Sequence, residues 1–118
     1  MGERKRILLA DDLFVTRHAI KETIETFGEK SGHEVVGEAA SIEEVSKFLV
    51  SGVKLTVAIL DANRPNKGDG ERAAALIRQY SPQTKIVSFS TDRQTWGDEN
   101  WVKGDLSCEK LFEKIDEL

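Results

Sequence analysis

Asp11, Asp12, Asp61, Ser90 and Lys103 are the residues whose types and spacing can do chemistry, because each stands where a short apolar run stops. Three carboxylates brought together repel: at roughly 4 Å and an effective dielectric near 20, each pair costs about 4 kcal/mol. A compensating cation is therefore expected. Oxygen-only ligands with room for water suit Mg²⁺, which accepts one or two carboxylates and keeps several waters. Lys103 adds a compact charge for a further carboxylate or for phosphate. Such a site can receive a phosphoryl group. Mg²⁺ and Lys103 offset charge on the transferring group, Ser90 donates a hydrogen bond to one of its oxygens, and the Asp61 carboxylate is the in-line nucleophile, giving an acyl phosphate.

These residues meet only if particular elements carry them. Val57 to Leu60 (VAIL) is a short apolar run without alternation, bounded by breakers, as in a strand buried on both faces. Asp61 then marks the carboxyl end of a central strand, the edge at which open parallel sheets bind ligands. Arg6 to Ala10 (RILLA) is a first buried strand ending at Asp11 and Asp12, and a helix over about 12–27 follows, with Ile20, Ile24 and Phe27 on one face. Either aspartate also suits the N-cap of that helix. HEVVGEAA is a second strand. Ser41 and Glu44 have capping-box spacing ahead of a helix with Ile42, Val45, Phe48 and Leu49 on its stripe, closed at Gly52.

Beyond Gly70, the residues Ala73, Leu76, Ile77 and Tyr80 mark a third helix stopped by Pro82, and Lys85 to Phe89 is a fourth strand ending near Ser90. The fifth strand is read at Trp101 to Lys103. Only TDRQTWGDEN then connects strands four and five, too little chain for a full crossover helix. Extended chain with at most one or two helical turns is expected. Leu106, Leu111, Phe112, Ile115 and Leu118 form a last amphipathic helix capped by Asp105 or Ser107. Right-handed crossovers carry every helix-entering loop to one edge, so all five chemical residues can converge.

The reading is an α/β domain over residues 1–118, with no internal repeat or linker. Seventeen basic and twenty-one acidic residues give a net charge of -4, which disfavours a nucleic-acid surface. No apolar run approaches the roughly 18–20 residues of a membrane span. MGERKR leads into too few apolar residues for a signal peptide. The single cysteine, Cys108, has no intramolecular partner, which makes a reducing cytoplasm the expected location. Its side chain is expected to be small core packing. His18 reads as an exposed helical histidine, His33 as a solvated turn residue, Arg17 as a surface partner for acidic neighbours, and Asp69 as a turn residue or cap of the third helix.

RILLADD, the interval from Asp12 to Arg17, VVGEAAS, VAILDANRP with its later DG, and SPQTKIVSFS together resemble the receiver domain of two-component response regulators. The resemblance spans essentially the whole chain. It implies a flavodoxin-like (βα)5 doubly wound sheet of order 2-1-3-4-5, here with helix 4 shortened or missing. A sensor histidine kinase or histidine phosphotransfer protein is the implied partner, with a downstream protein as target. By the same resemblance Asp61 matches the phosphoacceptor, and Asp11 and Asp12 match the acidic pair that binds Mg²⁺. Asn63 matches the residue lending a backbone carbonyl to the metal, Ser90 the switch hydroxyl, and Lys103 the lysine at the phosphoryl group.

Departures from the pattern are also visible. Arg64 stands where an apolar residue usually precedes Pro65, and the following loop is a residue longer. Gly104 replaces a proline, Thr91 a smaller residue, and Asn100 falls near the switch aromatic with Trp101 one position on. The Ser90–Trp101 segment, poor in apolar anchors, is expected to be the moving part. The leading expectation is a stand-alone receiver phosphorylated on Asp61 and signalling by conformational change. A constitutive receiver-like interaction module is the alternative. A phosphohydrolase is disfavoured because Asn63 stands where an acidic residue would act as proton donor.

Overall fold

Five short strands set the architecture, and a helix follows each of the first three before the next strand begins. In a computed structural model of the chain, residues 4–11, 13–27, 32–62 and 67–118 are described. The elements run β1 (Arg6–Ala10), α1 (Phe14–Phe27), β2 (Glu34–Ala39), α2 (Ile42–Val50), β3 (Val57–Leu60), α3 (Asp69–Tyr80), β4 (Lys85–Ser90), β5 (Glu99–Val102) and α4 (Cys108–Glu117). A 3-10 turn, Lys103–Asp105, precedes α4. All five strands are parallel, in the order β2-β1-β3-β4-β5, the flavodoxin-like arrangement.

The sheet is covered on both faces. Ile7, Leu9, Ile59, Val87, Phe89 and Trp101 pack with Ile20 and Ile24 of α1 and Leu111 and Ile115 of α4. Leu8, Ala58, Leu60 and Ile86 pack on the other side with Val45 of α2 and Ala73, Ala74 and Ile77 of α3. The strands that read as continuous apolar runs are those buried on both faces, and β3 is buried at all four positions.

Local chemistry explains the boundaries. The Ser41 hydroxyl accepts from the Glu44 N–H, while the Glu44 carboxylate accepts from the Ala40 N–H, a reciprocal cap displaced by one residue from the usual form. Gly37 sits under the Phe48 ring, where a Cβ would collide with it. The absence of a side chain there lets α2 lie close on β2. The Ser107 hydroxyl caps α4 by accepting from the Lys110 N–H.

Between β4 and β5 the residues Thr91–Asp98 form no helix, in agreement with the chain length available. In place of a helix, Trp96 packs partly buried against the core on the α3 side. The segment is also held by hydrogen bonds. Asp98 receives the Ile86 N–H on its carboxylate at 2.8 Å and returns its own N–H to the Ile86 carbonyl at 2.8 Å. Arg78 donates to the Trp96 carbonyl, and Asn100 bonds both backbone groups of Gly97 and accepts from the Ser88 hydroxyl. The Ser90–Trp101 segment, expected to be poor in apolar anchors, is held by Trp96 together with these polar contacts. The start of β5 is also earlier than expected, because Glu99 and Asn100 pair with Val87 and Ser88, and Lys103 leaves the strand for the turn.

Two side chains differ from their expected surroundings. His33 is buried rather than solvated, held between the Lys5 N–H and Asp116. Cys108 is exposed rather than packed, because it lies off the buried stripe that Leu111 and Ile115 carry. His18 is exposed and pairs with Glu22, and Arg17 pairs with Glu38, both as expected. No helix among the described residues is long and apolar enough to cross a membrane.

Candidate functional site

Register brings the chemical residues to one rim. Ala10 and Leu60 are paired across β1 and β3, and the Asp61 N–H donates to the Ala10 carbonyl at 2.9 Å. Asp11 and Asp61 therefore leave adjacent strands side by side, strands in a sheet lying about 4.8 Å apart. The Asp11 N–H bonds the Ala39 carbonyl of β2, and one Asp11 carboxylate oxygen accepts from the Leu13 N–H at the entry to α1. The capping use of this aspartate and its site use thus coexist on different oxygens.

Lys103 reaches this pair from the end of β5. Its ammonium donates to Asp11 Oδ2 at 2.9 Å and to Asp61 Oδ2 at 2.5 Å. Both carboxylates are 7% exposed and the lysine 22%, so solvent screens the contact weakly. Burial opposes the charge on Lys103, but hydrogen bonds to Asp61 and Asp11 and the charges of both outweigh it, and its pKa lies above the ordinary lysine value. Phe89 forms an apolar wall, its ring centroid 6.0 Å from the ammonium.

Ser90, at the end of β4, is buried and its hydroxyl oxygen accepts from the Ala62 N–H at 2.7 Å. The backbone just after Asp61 is thereby tied to the neighbouring strand. Gly70 closes the other side: its N–H donates to the Ala62 carbonyl, and a Cβ there would run into the Asp61 and Ala62 backbone. Only glycine lets α3 begin this close to the end of β3. Asp69 is the first residue of α3 rather than its cap, which is Gly68, and it pairs with Arg72 at 2.8 Å.

Arg17 has a place in the resemblance through its spacing from Asp12 and otherwise reads as a surface partner, but its contact with the exit of β1 is not legible in the sequence. Its guanidinium donates to the Asp11 carbonyl at 2.6 Å while Nε bonds Glu38, clamping the β1 exit against β2. The signal available was its position in the first turn of the helix that follows the aspartates. Gly70 carried a signal too, as the glycine of the DG pair.

Asp12 and Asn63, expected as metal ligands, lie outside the described residues. Among the described residues no group of three or more His, Cys, Asp or Glu side chains is arranged to hold a metal. Two carboxylates that already converge on one cation, Asp11 Oδ2 and Asp61 Oδ2, nonetheless fit Mg²⁺, which needs one or two such ligands and fills its remaining positions with water.

No protein-family model matches the sequence, and no curated protein is significantly similar to it. Solved structures do match. The receiver domain of PhyR from Erythrobacter litoralis aligns over 98% of this chain and 89% of its own, with a TM-score of 0.77 and 13% identity. The response regulator domain of Thermotoga maritima CheB aligns over 98% and 96%, with a TM-score of 0.76 and 23% identity. The response regulator PhyR from Brucella abortus gives a TM-score of 0.80 at 15% identity over 98% of this chain, which spans 48% of that longer protein. The chain has the fold of response-regulator receiver domains.

Proposed function

We propose that this chain, carrying the receiver fold, is a response-regulator receiver that accepts a phosphoryl group on Asp61 in a Mg²⁺-dependent reaction. The donor is a phosphohistidine of a sensor histidine kinase or a histidine phosphotransfer protein in the cytoplasm. The observation that carries the reading is the Lys103 ammonium held between Asp11 and Asp61, three residues from distant parts of the chain meeting at one strand edge. A structural lysine needs one carboxylate. A phosphoryl site needs a nucleophilic carboxylate, further acidic ligands and a cation that the transferred group can claim.

In this reading Asp11, Asp12 and Asp61, with the Asn63 carbonyl, hold the metal. When bound, Mg²⁺ supplies positive charge to the phosphoryl oxygens. An Asp61 carboxylate oxygen attacks phosphorus in line. The phosphorus–nitrogen bond of the donor breaks, and its electron pair leaves on the imidazole nitrogen, giving an aspartyl phosphate. The new group carries about -1.5 to -2 charges in place of the single negative charge of the Asp61 carboxylate, so the rim gains up to about one net negative charge. Lys103 pairs with that charge, and Ser90 turns its hydroxyl from the Ala62 N–H toward a phosphoryl oxygen, leaving that N–H to the same group. Movement at Ser90 then passes to Thr91–Asp98 and to a downstream protein.

Acetyl phosphate and Mg²⁺ test this. Wild type is expected to gain one phosphoryl group, labile to hydroxylamine, and to gain none after chelation or in Asp61→Asn. A second reading, a constitutive interaction module, is favoured by the Thr91–Asp98 connection, which has polar anchors and no helix to displace. An Asp61 that stays unmodified while partner binding persists would establish that reading instead.

A further inference from the structure

We infer that the opposite, amino edge of the sheet holds a second site, for a small polyanion carrying at least two phosphate groups. A cavity of about 400 Å³ opens there, lined by Arg4, Lys5, Lys54 and Lys85 with Thr56 and Gln83. Four cations and no Asp or Glu side chain line it, together with the oxygen end of Leu118 that Lys5 already holds, in a chain whose net charge is -4. Such segregation costs self-repulsion unless an anion relieves it.

The cations are not accounted for by internal pairing. Arg6, their neighbour, is paired with Glu34, and Lys5, 7% exposed, donates to the Leu118 carbonyl at 2.6 Å. Among the described residues Arg4, Lys54 and Lys85 take part in no ion pair, so their charges are available to a ligand. Thr56 and Lys85 are fixed in relative position by backbone bonds, Thr56 N–H to the Arg6 carbonyl and Lys85 N–H to the Thr56 carbonyl. Buried Leu55 and Val57 form an apolar floor.

Spacing sets the ligand class. The cations flank the starts of three adjacent strands, β1, β3 and β4, so they spread over about 10 Å. One phosphate is too small to meet them together, whereas a polyphosphate chain or a nucleotide bearing one is long enough. Lysine ammoniums recognise such groups as point charges without demanding a fixed plane. The site is remote from Asp61, since β3 separates Val57 from Leu60 along its whole length.

Amide NMR titration with tripolyphosphate, at low and at physiological ionic strength, tests the inference. Saturable shifts are expected at Lys54–Val57, Gln83–Lys85 and Lys5. The double variant Lys54→Gln/Lys85→Gln is expected to bind about tenfold more weakly or worse. Its thermal midpoint and its reaction with acetyl phosphate report that it is folded. Asp61→Asn is expected to bind as wild type does, which separates this site from the proposed phosphoacceptor. ATP binding alongside tripolyphosphate identifies a soluble ligand, and additional binding to vesicles carrying a phosphatidylinositol bisphosphate identifies a headgroup. Non-saturating shifts, shifts confined to the carboxyl edge, vesicle binding without tripolyphosphate binding, or an unweakened double variant would each overturn it.

Discussion

At residue scale Lys103 neutralises two buried carboxylates, Asp11 and Asp61; in the proposed function it also pairs with the transferred phosphoryl group. Lys103→Met removes the counter-charge that Asp11 and Asp61 share, leaving two carboxylates of 7% exposure facing each other. A loss of about 2–3 kcal/mol is expected without divalent metal, and Asp61→Asn in the same background should recover part of it. Urea denaturation of the four proteins closes that double-mutant cycle. The pH dependence has a definite sign. The folded pKa of Lys103 is raised, so its stabilisation is complete below the unfolded value of about 10.4 and is lost as pH climbs through the higher folded value. The difference in urea midpoint between wild type and Lys103→Met is therefore flat from neutral pH to about 10 and shrinks above it. The residues of this trio were legible because each ends an apolar run. Arg17 was not, because its bond is to a backbone carbonyl, which no side-chain pattern records.

At the scale of elements, one close approach holds the rim and one hydrogen bond fixes the amino ends of β4 and β5. The first is Gly70 against the exit of β3, where a Cβ would meet backbone rather than a side chain that can turn away. Gly70→Ala is expected to cost about 1–3 kcal/mol and to slow labelling by acetyl phosphate, because the backbone that must shift carries Asp61. Thermal melting and the labelling rate check the two halves separately. The second closes the Thr91–Asp98 connection, with the carboxylate of Asp98 on the Ile86 N–H. Asp98→Ala leaves that N–H without a partner and should cost about 1–3 kcal/mol, with faster amide exchange at Ile86. Asp98→Asn keeps an acceptor and should recover most of it. The missing helix was legible by counting residues, since helical rise cannot span the sheet in so short an interval. The early start of β5 was not, because Glu99 and Asn100 have poor strand propensity and are recruited by the ladder to β4.

For the whole molecule, the radius of gyration of 12.8 Å is close to the roughly 13.5 Å expected at this length, so loss of a crossover helix has not loosened the chain. Closure at the amino edge comes from a residue whose surroundings no local pattern predicts. His33 Nδ1 accepts from the Lys5 N–H at 2.9 Å, so Nδ1 bears no proton and Nε2–H donates to Asp116 at 2.8 Å. Its ring centroid lies 5.9 Å from that of Phe112 on α4. One imidazole thus joins the approach to β1, the start of β2 and the last turn of α4, and its burial exists only once α4 has docked. His33→Ala removes both bonds, leaves the buried Lys5 N–H unpaired and opens a void, for an expected loss of about 2–4 kcal/mol. In a domain of this size that lowers Tm by on the order of 10–20 °C. Below its melting point the variant should still accept a phosphoryl group, because His33 lies at the edge opposite Asp61. A midpoint that does not move would mean that Leu111 and Ile115 alone hold the last helix on the sheet.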